Sequence, residues 1–467
     1  MSTSRKKREP PKVLISAQAS PELTSAYARV ARELAIQLSR YRQVAVLGVH
    51  GNEAHPYQLA NAPHVQVHPY PWQYFSGNHI NSIARALGCR IVVHIGDGWR
   101  YAGEIVNASK TIPWVVHSPI DHAPLVDVEK VLAKGIDLWA VPTLWGTHAV
   151  QKEGIASYVP HGVSTSLLEG IEMEATRTDQ RFQACKSLGW PSDMLRYLAV
   201  GKNVGDRKNL PGLIRAWADA KIPDSELVVW SYPTRDASVP EAYDLLGAAQ
   251  SLGVENIRFP DPYSISLGVS DKQMGQIYAA SDLLVQTTKA EGFGIPIIEA
   301  QAIGIPALIT RTQPFLEVAG VKRPETWLDP VVQRNPRETN ARITDPLTVG
   351  IGAYDLQQLL GNAWMLTPAH DELVEKLEWF SKHHEVFQSS EWFVKRRKHA
   401  RKYTWELAGK NLESLLSSPA GRDSRIGRIN REISPEFNEG ATAYGLQQYI
   451  EDEPDQVASL IKNSPTS

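Results

Sequence analysis

A chain of 467 residues is too long for one ordinary core, and two domains of roughly 150 to 200 residues each are the natural division. Its 49 Lys plus Arg nearly balance 51 Asp plus Glu, so no nucleic acid is expected as the main partner. Only Cys89 and Cys185 occur, which argues against a disulfide scaffold or a cysteine-based metal site, and no apolar run approaches a membrane span. A soluble, cytoplasmic protein is expected, peripheral to the inner face of a membrane at most.

The leader 1–11, with RKKREPPK, reads as disordered and solvated. Lys12 to Ala17 (KVLISA) reads as the first strand and Pro21 to Arg40 as an amphipathic helix. Strands follow at Gln43 to Gly48, His64 to His68, Arg90 to Ile95, Ile112 to His117 and Asp137 to Val141. Helices are expected from Asn78 to Leu87, from about Pro124 and from Thr143. Alternating strands and helices without hairpin signals predict a doubly wound parallel sheet, with ligands beyond the carboxyl ends of the strands. The loops after strands are therefore the informative ones, among them Asp97 in HIGDGW and His117, Asp121 and His122 in HSPIDHAP. Taken alone, His117 reads as a strand-end residue satisfied by backbone, and Asp97 equally well as a turn aspartate.

Strand signals vanish between about Gly162 and Trp190, which reads as a linker. Leu195 to Val200 opens the second half and runs into GKNVGDRKNLPGLIRAWADA, where Asn209 is a plausible N-cap before the buried stripe Leu210, Leu213, Ile214 and Trp217. Glu226 to Trp230, a helix from about Val239 to Leu252, Asn256 to Phe259 and a helix from about Asp271 continue the alternation into Ser281 to Thr287. Then comes EGFGIPIIE, in which Gly292 and Gly294 let the backbone turn and a helix should begin near Pro296. The free N–H groups of Phe293, Gly294 and Ile295 at that helix start favour an anion. Glu291 and Glu299 stand eight positions apart across it, which suits a sugar nucleotide: Glu291 for sugar hydroxyls and Glu299 for a ribose diol. A lone glycine-rich loop with two solvated glutamates reads equally as ordinary strand-loop-helix. Residues 311–345 carry no readable role, Glu391 to Leu416 reads as one or two helices with a basic run, and the tail 418–467 has only a helical patch at Ala443 to Ile450.

EGFGIPIIEA followed by QAIGIPALIT resembles the E-x7-E signature of retaining glycosyltransferases of family 4 (glycosyl transferases group 1), which have the GT-B fold. The resemblance covers about residues 12 to 416 and is most specific across Gly201 to Lys208 and Glu291 to Glu299. It implies an α/β chain with two doubly wound Rossmann-like domains, an interdomain cleft and a C-terminal helix that crosses back to the first domain. The divisions expected are 12–175, 190–390, 391–417 packing on the first domain, and the tail 418–467. GKNVGDRK matches the family's G-R-x(5)-K arrangement, so Lys202 and Lys208 are implied to grip the donor diphosphate, with Arg207 as a further candidate. Lysine lacks arginine's bidentate fork at the first of these positions. The resemblance further implies that His117 faces the donor's anomeric carbon, that Tyr263 borders the base, and that Asp97 and Asp121 lie on the acceptor side. Where relatives have a glycine-rich turn after the first strand, this chain has AQASPELTSAY.

The implied chemistry is transfer of a sugar from a UDP- or GDP-sugar to an acceptor glycan, lipid, protein or small molecule that the sequence does not name. Anomeric configuration is retained, and the leaving phosphate takes the acceptor's proton. No Asp-x-Asp motif occurs, so no metal and no cofactor are expected. A GT-B sugar-nucleotide epimerase, a phosphorylase and a catalytically silent sugar-nucleotide-binding subunit remain the alternatives. A nicotinamide dehydrogenase is disfavoured, because no G-x-G-x-x-G opens a helix after the first strand.

Overall fold

The computed structural model describes residues 10, 12–23, 25–49, 55–70, 75–122, 124–169, 171–172, 175–235, 242–321, 346–357 and 363–417. Nearly all of the leader, residues 322–345 of the long segment and the tail with its helical patch lie outside the described residues. The described residues form two compact units: one holds those up to Ile120, those within Pro124–His161 and those from Trp405 to Ser417, and the other holds Asp121, His122 and those within Gly162–Thr404.

The first unit is built on β1 (Val13–Ala17), α1 (Ala26–Leu38), β2 (Val44–Val49), β3 (Tyr57–Leu59), β4 (Ala62–Tyr70), α2 (Gly77–Ala86), β5 (Ile91–Ile95), α3 (Ala102–Ser109), β6 (Trp114–His117), α4 (Asp127–Gly135), β7 (Leu138–Val141), α5 (Leu144–Gln151) and β8 (Ala156–Tyr158). Its eight-stranded sheet has the order β3-β4-β2-β1-β5-β6-β7-β8, parallel except for β3. The expected first helix is shortened, because the Ser25 hydroxyl accepts from the Ala28 N–H and caps it there. The β3–β4 hairpin and α3 were not anticipated. In β3 only Leu59 of three residues is buried, too short a run to show an alternating pattern.

In the second unit α6 (Arg177–Leu188) precedes β9 (Leu195–Val200), α7 (Leu210–Ala220), β10 (Ser225–Trp230), α8 (Leu245–Ser251), β11 (Ile257–Arg258), α9 (Pro262–Leu267), α10 (Asp271–Ala279), β12 (Leu283–Gln286), α11 (Ile295–Ile303), β13 (Ala307–Thr310), α12 (Phe315–Val318) and β14 (Thr348–Val349). All six strands are parallel, in the order β11-β10-β9-β12-β13-β14. Successive strand residues feed opposite layers. Leu198, Val228, Leu284 and Ile309 join the core shared with α10 and α11, while Tyr197, Leu227, Val229, Leu283 and Leu308 join the one shared with α7. A separate antiparallel hairpin, β15 (Ile351–Gln357) and β16 (Ala363–Pro368), precedes α13 (His370–Phe387) and α14 (Ser390–Ala400).

The supposed linker is corrected. The first unit ends at His161, not at 175, and 162–189 contains α6, capped by Thr176 and closed by the left-handed Gly189. Its stripe is masked in sequence because the buried Arg177 donates to the carbonyls of Ala279, at 2.8 Å, and Ser281. The carboxyl end is corrected as well: α14 packs on α11 within the second unit, and only α15 (Trp405–Ser417) belongs with the first. Helix α15 lies on α1, buries Trp405, Leu412 and Leu416, and receives the fork of Arg42 on Glu413, with Nε to Oε2 at 2.6 Å.

Candidate functional site

In the second unit the chain leaves β9 towards β10 and β11, then returns to β12 on the other side, so β9 and β12 flank a topological switch point. Ligands of open parallel sheets bind beyond the carboxyl ends of such strands. The two loops that emerge there, 201–209 and 287–294, are laced together. Lys289 N–H donates to the Arg207 carbonyl at 2.9 Å, Asn209 Nδ2 to Thr287 O at 3.1 Å, and Arg207 Nη1 to Ala290 O at 3.1 Å. Asn209 is thus not the side-chain cap expected of it: its φ is 51° and its amide is committed to the neighbouring loop.

On this frame sit the charges. Lys208 Nζ donates to the Glu291 carboxylate, and Arg207 Nη1 lies 3.4 Å from Glu291 Oε1. Burial works to raise the Glu291 pKa, but the charges of Lys208 and Arg207 outweigh it and hold the carboxyl below its ordinary value. Burial, with Arg207 adjacent, draws the Lys208 ammonium down although Glu291 opposes it. Asp121 joins this cluster rather than an acceptor side in the first unit. It accepts from His122 Nδ1 at 2.7 Å, and although burial pushes its carboxyl up, His122 and then Arg207 hold it at about 2.

Gly294, with φ of 93°, caps α11 in the left-handed region; a Cβ there would also meet Ile297 and Phe315 at 3.0 Å. The helix starts at Ile295, with Pro296 second. Gly292 is buried, and the Phe293 ring is core, 2% exposed against Tyr403, so backbone N–H groups are what 292–295 can offer a ligand. Among the described residues no group of three or more His, Cys, Asp or Glu could hold a metal ion.

Four assignments change. His117 is 1% exposed, its Nε2 lies 3.2 Å from Val159 O and its ring is tilted by 33° against that of His161, with centroids 5.3 Å apart. Burial lowers its pKa to about 4, which favours a neutral strand-end ring held by backbone, the reading the residues alone give. Lys202 is exposed and, among the described residues, makes no ion pair with the cluster. Glu299 is 4% exposed and accepts from the Tyr278 hydroxyl at 2.8 Å, which places it inside the packed interior of α10 and α11. Tyr263 stands on a short helix, not a loop, and is 71% exposed. In the first unit, Asp97 follows β5 at the switch point between β1 and β5; its carboxylate accepts from Tyr27 and lies 3.6 Å from Arg100. Sequence reasoning missed Lys289 and Asp206, although Lys289 stands only two residues before Glu291, and it named Asp121 and His122 without pairing them.

The fold is GT-B, a mixed α/β architecture of two Rossmann-like domains. Sucrose-phosphate synthase from Thermosynechococcus elongatus superposes with a TM-score of 0.64 at 16% identity, covering 87% of this chain and 98% of that one. HepE of Anabaena, solved with UDP and glucose, gives 0.58 at 14% identity, covering 87% and 99%. Residues 183–344 match the family model described as Glycosyl transferases group 1. D-inositol 3-phosphate glycosyltransferase 2 of Catenulispora acidiphila is 31% identical over 158 residues, 32% of this chain. The match spans about a third of that curated relative, 35% of its length. No described helix is long and apolar enough to cross a membrane.

Proposed function

We propose that the chain is a retaining glycosyltransferase that takes a sugar from a nucleoside diphosphate donor seated at the β9–β12 switch point. The observation that carries this is the cluster that Lys208 and Arg207, on the loop after β9, form with Glu291, on the loop that leads into α11. As the glycosidic bond breaks, negative charge grows on the diphosphate, and two cations with the positive end of a helix suit it without a metal. With no donor bound, Glu291 balances Lys208. A diphosphate takes over the cations, and Glu291 is then released to hydrogen-bond the sugar hydroxyls. The leaving phosphate accepts the acceptor's proton as the new glycosidic bond forms on the same face. The similarity to HepE, whose solved complex contains UDP and glucose, supports a nucleotide-sugar donor.

The test is a thermal-shift screen of UDP- and GDP-sugars on the purified chain, followed by NMR of the product's anomeric configuration. A ligand at 100 times its Kd adds roughly 2.7 kcal/mol of stability. Stabilisation with transfer and retained configuration supports the reading. Binding without turnover would make the chain a silent binding subunit, a donor epimerised in place would make it an epimerase, and inversion would overturn the retaining mechanism.

A further inference from the structure

Lys289 is a buried cation two residues before Glu291, its side chain 10% exposed. Its ammonium donates to Asp206, on the turn that carries Arg207 and Lys208, and at 2.8 Å to Asp355 Oδ2 on β15. Its main chain is held at both ends: the N–H donates to Arg207 O at 2.9 Å and the carbonyl accepts from Leu366 N–H of β16 at 2.9 Å. The Thr367 hydroxyl also donates to Asp355. One residue thus joins the β9 loop, the β12 loop and the hairpin. That hairpin, 351–368, lies beyond residues 183–344, the stretch that matches the family model.

Two carboxylates already neutralise Lys289, so its charge is not available to phosphates as that of Lys208 is. Burial works to lower its ammonium pKa, but the hydrogen bonds it donates to Asp206 and Asp355 outweigh burial and raise it. Without the cation, Asp206 and Asp355 repel each other across the gap, and Asp206 becomes a local competitor for Arg207 and Lys208.

We propose that Lys289 is a positioning residue, a staple by which the β15–β16 hairpin fixes the spacing of Lys208 and Glu291 for the donor. The inference rests on the donor-site reading above. UDP titration calorimetry and amide hydrogen exchange on the full chain test it with Lys289→Met, Lys289→Arg and the milder surface change Asp355→Asn. Lys289→Met is expected to weaken UDP about tenfold or more, since a misplacement on the scale of 1 Å is costly. Lys289→Arg should recover part of that loss, and Asp355→Asn should fall between. Exchange at Lys289 and Leu366 should accelerate in Lys289→Met and Asp355→Asn while β9 and β10 stay protected. Wild-type affinity in Lys289→Met with unchanged exchange would overturn the proposal. So would lost affinity with unchanged exchange, because Lys289 would then touch the ligand itself. If the wild-type chain binds neither UDP nor any other nucleotide, the donor reading fails separately, and exchange alone decides whether the hairpin holds the loops.

Discussion

Lys208 and Lys202 differ in what surrounds them: the first is enclosed beside Arg207 and Glu291, the second exposed to water. A charge removed from an enclosed site is felt more than one screened by solvent. Lys208→Ala is therefore expected to weaken nucleoside diphosphate binding by about 1.5–3 kcal/mol and Lys202→Ala by under about 1 kcal/mol, read by calorimetry. Equal losses would return Lys202 to the diphosphate site. Glu291→Gln and Glu299→Gln should also fail differently. Glu291 is the group proposed for the sugar ring that gains positive character, so its amide should lower kcat with little change in the affinity for free nucleoside diphosphate. Glu299, held by Tyr278 in the interior, should show its loss first in the melting temperature, because a buried hydrogen-bonded carboxylate is being replaced. An unchanged Tm with a raised donor KM would instead support the ribose contact.

Elements were legible where a single period governed them. Strands buried on both faces, such as LLVQ of β12 and LVVW in β10, announce themselves as apolar runs between turns, and the β9-to-β12 motif fell where a parallel sheet places its ligands. Other features stay hidden because polar groups supply their burial. Helix α6 buries Arg177 and Gln180, and the staple at Lys289 relies on Asp355, 66 residues away. Such partners meet only after folding, so no local pattern marks them. His117 shows a different limit: its place at a strand end is legible, but whether a strand-end ring faces ligand or core is decided by what packs around it. The α1–α15 contact offers a test at this scale. A Cβ on Gly409 would lie 2.3 Å from Gln37 Cβ, so Gly409→Ala should cost about 1–3 kcal/mol by urea denaturation despite the better helix propensity of alanine. Stabilisation would mean that α15 is not seated on α1 in solution.

For the molecule as a whole, acid should act on the first unit before the donor cluster. His94 and His117 are both 1% exposed with pKa values lowered to about 4 by burial, and His161 is pushed well below its ordinary 6.5 by burial and by the neighbouring His117. All three belong to the first unit. A group whose folded pKa is depressed contributes stability that is complete above its unfolded pKa and is lost as pH falls towards the folded value. For His94 and His117 that window runs from about 6.5 down to about 4, and His161 shares the sign, because the unfolded chain binds protons that the folded one refuses. The carboxylates of the second unit share the sign but not the window: Asp121, held at about 2, gives up its contribution only below the ordinary carboxylate range. The stability of the first unit should therefore fall by about 1.4 kcal/mol per pH unit for every histidine that titrates. Urea unfolding followed at pH 7, 6, 5 and 4.5 reads this directly, with the first unit melting earlier as pH drops. His117→Gln should flatten the slope by about one proton even if it lowers stability at pH 7. A slope that stays flat between pH 6.5 and 5 in the wild-type chain would mean that these rings are open to water, and would return His117 to the list of groups able to face a ligand.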